Sequence, residues 1–169
     1  MTPAANRRRN FAVIPAAGHS RRMGRPKLLL PWGDRTVIET VLAAWRASRV
    51  DAVVVVVRAA DAPLLEVVRA ACAAGGAGAE LRLVAADPPP AEMKDSVAAG
   101  LRYLADHFHP ADGDTWLMAP ADVPGLTTER IDEVLAAHQA RCCERDDDSI
   151  TVAAHEGHRG HPAAFPWSL

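Results

Sequence analysis

The sequence predicts an α/β fold, a mostly parallel sheet held between helices in a three-layer α/β/α, Rossmann-like arrangement. Three observations lead there. Apolar runs of strand length alternate with segments that are apolar at helical spacing, an order βαβαβαβαβ that builds parallel sheets. One run, Ala52–Val57, is almost all valine, polar on neither face, as a strand covered on both sides must be. Tight loops of small residues follow the first strand and the strand at Asp114–Met118, the strand ends at which open α/β sheets bind ligands.

Each element follows from its own pattern. Asn10–Ile14 reads as the first strand. Thr36–Ser48 carries Val37, Val41, Leu42 and Trp45 at helical spacing. After the valine strand, Ala62–Ala74 reads as a helix ended by Gly75-Gly76. Leu81–Val84 is a short strand, and the Asp87-Pro88-Pro89-Pro90 that follows cannot be helical. Met93–His107 reads as a third helix, Asp114–Met118 as a strand, and Ala119–Gly125 as a tight loop. Thr127 or Thr128 caps a helix running to about Arg141. Ser149–Ala154 is the last strand, and Gly157–Pro162 makes a turn before Ala163-Ala164-Phe165. With no internal repeat and no linker, residues 1–169 read as one domain, a length that suits one full core.

Composition narrows the function. The formal charge of −2 provides no global field for nucleic acid or an anionic membrane. No apolar run approaches the roughly 18 residues of a transmembrane helix. The start of the chain is polar, with Arg7-Arg8-Arg9 and no apolar core of a secretory signal; those arginines read as a solvated lead-in. Cys72, Cys142 and Cys143 have neither disulfide nor zinc spacing. They read as reduced thiols of a cytoplasmic protein, with Cys142-Cys143 beside an exposed acidic loop.

The densest chemistry lies in Ala16-Ala17-Gly18-His19-Ser20-Arg21-Arg22-Met23-Gly24-Arg25-Pro26-Lys27. Small residues let backbone N–H groups approach an anion, and the cations that follow neutralise phosphates. The stretch is not a P-loop, because five residues separate Gly18 from Gly24 and Lys27 precedes leucine. Nor is it a dinucleotide fingerprint, since Gly18-His19-Ser20 lacks the second glycine. Asp122 lies past the end of a strand between Pro120 and Pro124. It suits either a turn or a magnesium site, which takes one or two carboxylates plus phosphate oxygens and waters.

Ala16 through Trp32, with Gly18, Ser20, Arg22, Met23, Gly24, Pro26 and Lys27 in register, resembles the signature of the MobA-like nucleotidyltransferases. Within that group it most resembles the molybdenum cofactor cytidylyltransferases and their MocA-like relatives. The resemblance implies transfer of a nucleoside monophosphate, CMP from CTP, to a molybdopterin-type phosphorylated acceptor with release of pyrophosphate. Magnesium is the implied cofactor and a molybdoenzyme an implied partner.

Carried onto this chain, the resemblance implies catalytic roles for Arg22 and Lys27, whose charges face the leaving group, Lys27 being the residue least able to survive replacement. The Ala16–Gly18 backbone, His19 and Ser20 would hold phosphates, although His19 suits a solvent-facing loop position equally well. Asp122 of Asp122-Val123-Pro124 would ligate magnesium. Ser96 and Gly100, in the helix opened by Lys94-Asp95, would approach ribose and base, and Asp87 would face the nucleoside. A glycine inside a helix also suits simple helix–sheet packing. Gly157-His158-Arg159-Gly160-His161-Pro162 resembles the Gly-His-Pro element of the MocA-like branch, which implies that Arg159, Gly160 and His161 face the acceptor; a structural β-turn histidine is the plainer reading. Family members continue for several tens of residues past this element, so the resemblance implies a domain truncated at its C-terminus. Three alternatives stand beside this reading. They are a guanylyltransferase of the same family, a non-catalytic nucleotide-binding relative, and an isoprenoid or sugar nucleotidyltransferase, against which the Gly-His-Pro element argues.

Overall fold

The computed structural model describes residues 7–18, 26–145 and 149–169. Its first strand, β1 (Asn10–Pro15), is buried along its whole length. A short 3-10 helix (Lys27–Leu29) and a two-stranded hairpin, β2 (Pro31–Trp32) and β3 (Arg35–Thr36), lead into α1 (Val37–Ala47). Then come β4 (Ala52–Arg58), α2 (Ala62–Ala73), β5 (Glu80–Ala86), α3 (Met93–Phe108), β6 (Thr115–Met118) and α4 (Thr128–Arg145). A final hairpin, β7 (Thr151–His155) and β8 (His158–Pro166), closes the order.

The main sheet has six strands in the order β5-β4-β1-β6-β8-β7. β1 pairs in parallel with β4 and β6, and β4 with β5. β8 is antiparallel to both its neighbours, β6 and β7, so it alone runs against the others and the sheet is mostly parallel. Side-chain alternation sorts the core into two faces. Ala12, Ile14, Val53, Val55, Val57 and Leu117 pack with residues of α1, α2 and α4. Phe11, Val13, Val54, Val56 and Trp116 pack against the other side, with Leu104, Tyr103 and Phe108 of α3. Helices on both faces of the valine strand are why it has no polar side.

Local chemistry sets the boundaries. Thr36 caps α1, its amide donating to Glu39 Oε2 at 2.8 Å and its hydroxyl accepting from the Glu39 amide at 3.4 Å. The Thr36 hydroxyl, which also donates to Glu39 Oε2 at 2.7 Å, and then the Thr36 amide hold the Glu39 carboxyl below the usual range. Of the two candidate threonines at α4, Thr127 is the cap, its Oγ1 accepting from Arg130 N at 3.4 Å. Gly75 and Gly76, with φ of 56° and 113°, follow α2 as expected.

Three expectations are corrected, and two short elements are new. The turn expected over Gly157–Pro162 is confined to Glu156-Gly157, both at positive φ, and His158–Pro162 belongs to β8. The 3-10 helix and the β2–β3 hairpin are additions, too short to leave a periodic pattern. α4 continues past Arg141 to Arg145, so Cys142-Cys143 and the first two residues of the expected acidic loop, Glu144 and Arg145, lie in the helix; Asp146, Asp147 and Asp148 lie outside the described residues. Arg9 is no solvated lead-in. Its amide donates to Asp114 Oδ1 at 2.8 Å, and its guanidinium donates to the carbonyls of Phe108 at 2.8 Å and His109 at 2.9 Å. Among the described residues, no helix is long and apolar enough to cross a membrane.

Candidate functional site

The site follows from strand order. β4 and β5 extend the sheet to one side of β1, and β6 joins on the other. The loops leaving β1 and β6 therefore emerge side by side at a topological switch point, the crevice in which such sheets bind ligands.

The loop after β1 begins tethered. Ala16 N donates to Val56 O at 2.9 Å, and Ala16 and Ala17 are buried. This corrects one expectation, because the Ala16 amide is already used by the sheet and only those of Ala17 and Gly18 remain to face a phosphate. Gly18 is exposed, and a Cβ there would meet nothing within 4 Å. His19, Ser20 and Arg22 lie outside the described residues.

Lys27 opens the 3-10 helix. Leu28, buried in the core, and Leu29 and Leu30, packed against it, pin that turn down. Leu30 N donates to Lys27 O at 3.3 Å, and Val37 N donates to Leu30 O at 3.0 Å. Sequence reading missed this anchor, although the signal, three leucines directly after the lysine, was present.

The loop after β6 is pinned in the same manner. Ala119, Ala121 and Leu126 are buried, and Ala121 N donates across the switch point to Pro15 O at 3.3 Å. Asp122 is left exposed between fixed neighbours. Its carboxylate accepts a hydrogen bond from the Lys27 ammonium, forming an ion pair with side chains 33% (Lys27) and 40% (Asp122) exposed. Two residues 95 positions apart in the chain thus meet at the mouth of the crevice.

The other expected residues fall at different depths. Asp87 is exposed just past β5, on the same edge of the sheet but two strands out from β1. Ser96 is buried in the first turns of α3, its amide donating to Glu92 O at 3.4 Å. Neither its hydroxyl nor its amide is presented at the surface of the edge. Gly100 lies deeper in α3, where a Cβ would sit 2.5 Å from Val13 Cγ1. Helix–sheet packing therefore accounts for that glycine.

Arg159, Gly160 and His161 lie at the start of β8. Met118, the last residue of β6, pairs with Ala163, so these three continue beyond the carboxyl end of β6, on the edge that carries Asp122. The β7–β8 register shifts between Val152 and Ala154, where Gly160, His161 and Pro162 stand opposite Ala153 alone. Such bulges re-aim side chains. Here the bulge leaves His161 half-buried, its Nδ1 without a hydrogen-bond partner among the described residues. A buried polar atom of that kind costs about 1–3 kcal/mol until something bonds it.

Comparison with known proteins places this geometry. Residues 12–169 match the family described as the MobA-like NTP transferase domain. Rv0371c from Mycobacterium tuberculosis H37Rv is 24% identical with a TM-score of 0.65, over 95% of this chain and 72% of that one; a structure of Rv0371c in complex with manganese is also similar. A 4-diphosphocytidyl-2C-methyl-D-erythritol synthase is 23% identical with a TM-score of 0.67, over 97% and 77%. A nucleotidyl transferase from Methanothermobacter thermautotroptrophicus is 24% identical with a TM-score of 0.66, over 92% and 70%. At these identities the likeness establishes a shared fold. No curated protein sequence matches the chain significantly.

Proposed function

Because the chain belongs to the MobA-like NTP transferase family, we propose that it transfers CMP from CTP to a molybdopterin-type phosphorylated acceptor. An oxygen of the acceptor phosphate attacks the α-phosphorus, the bond from that phosphorus to the bridging oxygen breaks, and pyrophosphate leaves with the electron pair. The observation that carries this reading is the meeting of Lys27 and Asp122 at the switch point. It unites a cation for the leaving phosphates and a carboxylate for a divalent ion, the two charges phosphoryl chemistry requires.

The donor set fits one such ion. Asp122 is a hard oxygen ligand with part of its surface open. Among the described residues no group of three or more His, Cys, Asp or Glu side chains stands ready to hold a metal, so phosphate oxygens and waters would complete the coordination. When bound, magnesium or manganese supplies positive charge to the phosphate oxygens. Lys27 neutralises the departing pyrophosphate as a point charge, and Arg22 adds a second cation from the same loop. The Ala17 and Gly18 amides face the phosphates. On the β8 side, His161 has a ring nitrogen unpartnered and Arg159 is exposed; both suit an acceptor phosphate. The cytidyl preference is supported by the motif and by a structural relative named for a diphosphocytidyl product.

Thermal unfolding with magnesium and each of CTP, GTP, ATP and UTP tests the reading. A nucleotide at about 100 times its Kd adds about 2.7 kcal/mol, a rise of about 5–10 °C for a chain of this size. The expected result is a rise with CTP that is lost in Lys27→Ala, followed by pyrophosphate release when a molybdopterin-type acceptor is added. A rise with GTP alone moves the reading to guanylyl transfer. No rise with any nucleotide overturns it.

A further inference from the structure

We propose that the Lys27–Asp122 ion pair is a charge latch that makes the site take up the divalent cation and the triphosphate together, as one metal–nucleotide complex. The inference rests on the functional reading above and adds the form in which that site accepts its substrate.

The argument starts from what each ligand meets when it arrives alone. A divalent cation finds the Asp122 carboxylate already engaged by the Lys27 ammonium. No cluster of three or more candidate metal ligands stands nearby among the described residues, so the ion must displace Lys27 to reach Asp122 and then sit beside a positive charge. A metal-free triphosphate has the converse difficulty. It must draw Lys27 away from Asp122, which bares a carboxylate against its own negative charge. A metal–nucleotide complex avoids both penalties, because the phosphates take Lys27 while the cation takes Asp122, and one ion pair is exchanged for two.

The backbones on either side are fixed, Lys27 by the buried Leu28 and Asp122 by buried Ala119, Ala121 and Leu126. Opening the latch is therefore a matter of side-chain rotation. Both side chains are a third or more exposed, so breaking the pair is cheap. The latch biases which species binds without closing the site. By linkage, the cation and the nucleotide raise each other's affinity by the same factor.

Titration of Mn2+ followed by the electron paramagnetic resonance of the free ion, without nucleotide, reads one half of this. Lys27→Met should bind Mn2+ up to about fivefold more tightly than wild type, while Lys27→Arg, which keeps the pair, should stay near wild type. Calorimetry with metal-free CTP reads the other half, with Asp122→Asn expected to bind it severalfold more tightly than wild type. Both substitutions are at partly exposed positions, and unchanged circular dichroism confirms that each variant is folded. Unchanged Mn2+ affinity in Lys27→Met overturns the latch, as does wild type binding Mn2+ equally well with and without CTP. If neither wild type nor Asp122→Asn binds CTP even with Mn2+, the functional reading fails and takes the latch with it; the nucleotide-free Mn2+ arm distinguishes the two failures.

Discussion

At the scale of single residues, Gly100 shows how a position can matter to a site it does not touch. It sits inside a helix, where alanine is preferred by up to about 1 kcal/mol. Yet an added Cβ would stand 2.5 Å from Cγ1 and 3.1 Å from Cγ2 of Val13. Val13 is fully buried and lies in β1, paired on both sides, and a β-branched side chain there has little rotamer freedom with which to give way. Overpacking of this kind costs about 1–3 kcal/mol, which exceeds the gain in propensity. Gly100→Ala should therefore lower the denaturant midpoint, by about 1–2 kcal/mol in stability. Combining it with Val13→Ala should cost less than the two changes summed, because one cavity accommodates the other's methyl. Strict additivity in that double-mutant cycle would refute the packing account. β1 runs directly into the loop that carries Gly18, so the closeness of α3 to β1 sets where that loop leaves the sheet.

At the scale of elements, α4 is fastened to β7 through a buried histidine. His138 is fully buried, its Nδ1 lying 3.2 Å from Thr151 Oγ1 and its Nε2 3.6 Å from Cys142 Sγ. Burial first, and the Arg141 charge second, hold its pKa below the ordinary histidine value. The unfolded chain therefore binds the proton more readily than the folded one. The neutral ring's contribution to stability is complete above the ordinary value of about 6.5 and is lost as pH falls below it. Denaturant midpoints measured from pH 7.5 down to 5 should fall more steeply for wild type than for His138→Gln, and parallel curves would show that His138 does not drive the loss. This part of the chain was also the least legible in the sequence. The valine run of β4 and the amphipathic pattern of α1 identify themselves, because one kind of burial repeats along the element. β8 carries Gly160 and Pro162, residues that read as turn, and they fit a strand only because the bulge opposite Ala153 absorbs them. That depends on the partner strand, which no local pattern reports. The β2–β3 hairpin escapes for a different reason, since two-residue strands have no period to read.

At the scale of the whole molecule, Lys27 and Asp122 were each legible as loop residues at strand ends, but their meeting was not. It requires β6 to insert beside β1 rather than at the far side of β5, and apolar strands read alike in a sequence whatever their order. The same order divides the sheet into halves of unequal burial. Ala52 through Val57 of β4 are fully buried and hydrogen-bonded to strands on both sides. β7, by contrast, is an edge strand among those described, with Val152 36% exposed and most of the rest at the surface. Elements with few buried apolar contacts open without global unfolding. Hydrogen exchange should therefore show amides of β1 and β4 exchanging only through global unfolding, with β7 and the start of β8 exchanging far sooner. Equal protection across all six strands would contradict this. In the proposed function the nucleotide would then be held by the rigid half of the sheet, into which the Ala17-Gly18 backbone and the turn at Lys27 are tied. Arg159 and His161, proposed to face the acceptor, lie in the half that opens most readily, which would suit a site that grips a small nucleotide firmly and admits a larger acceptor.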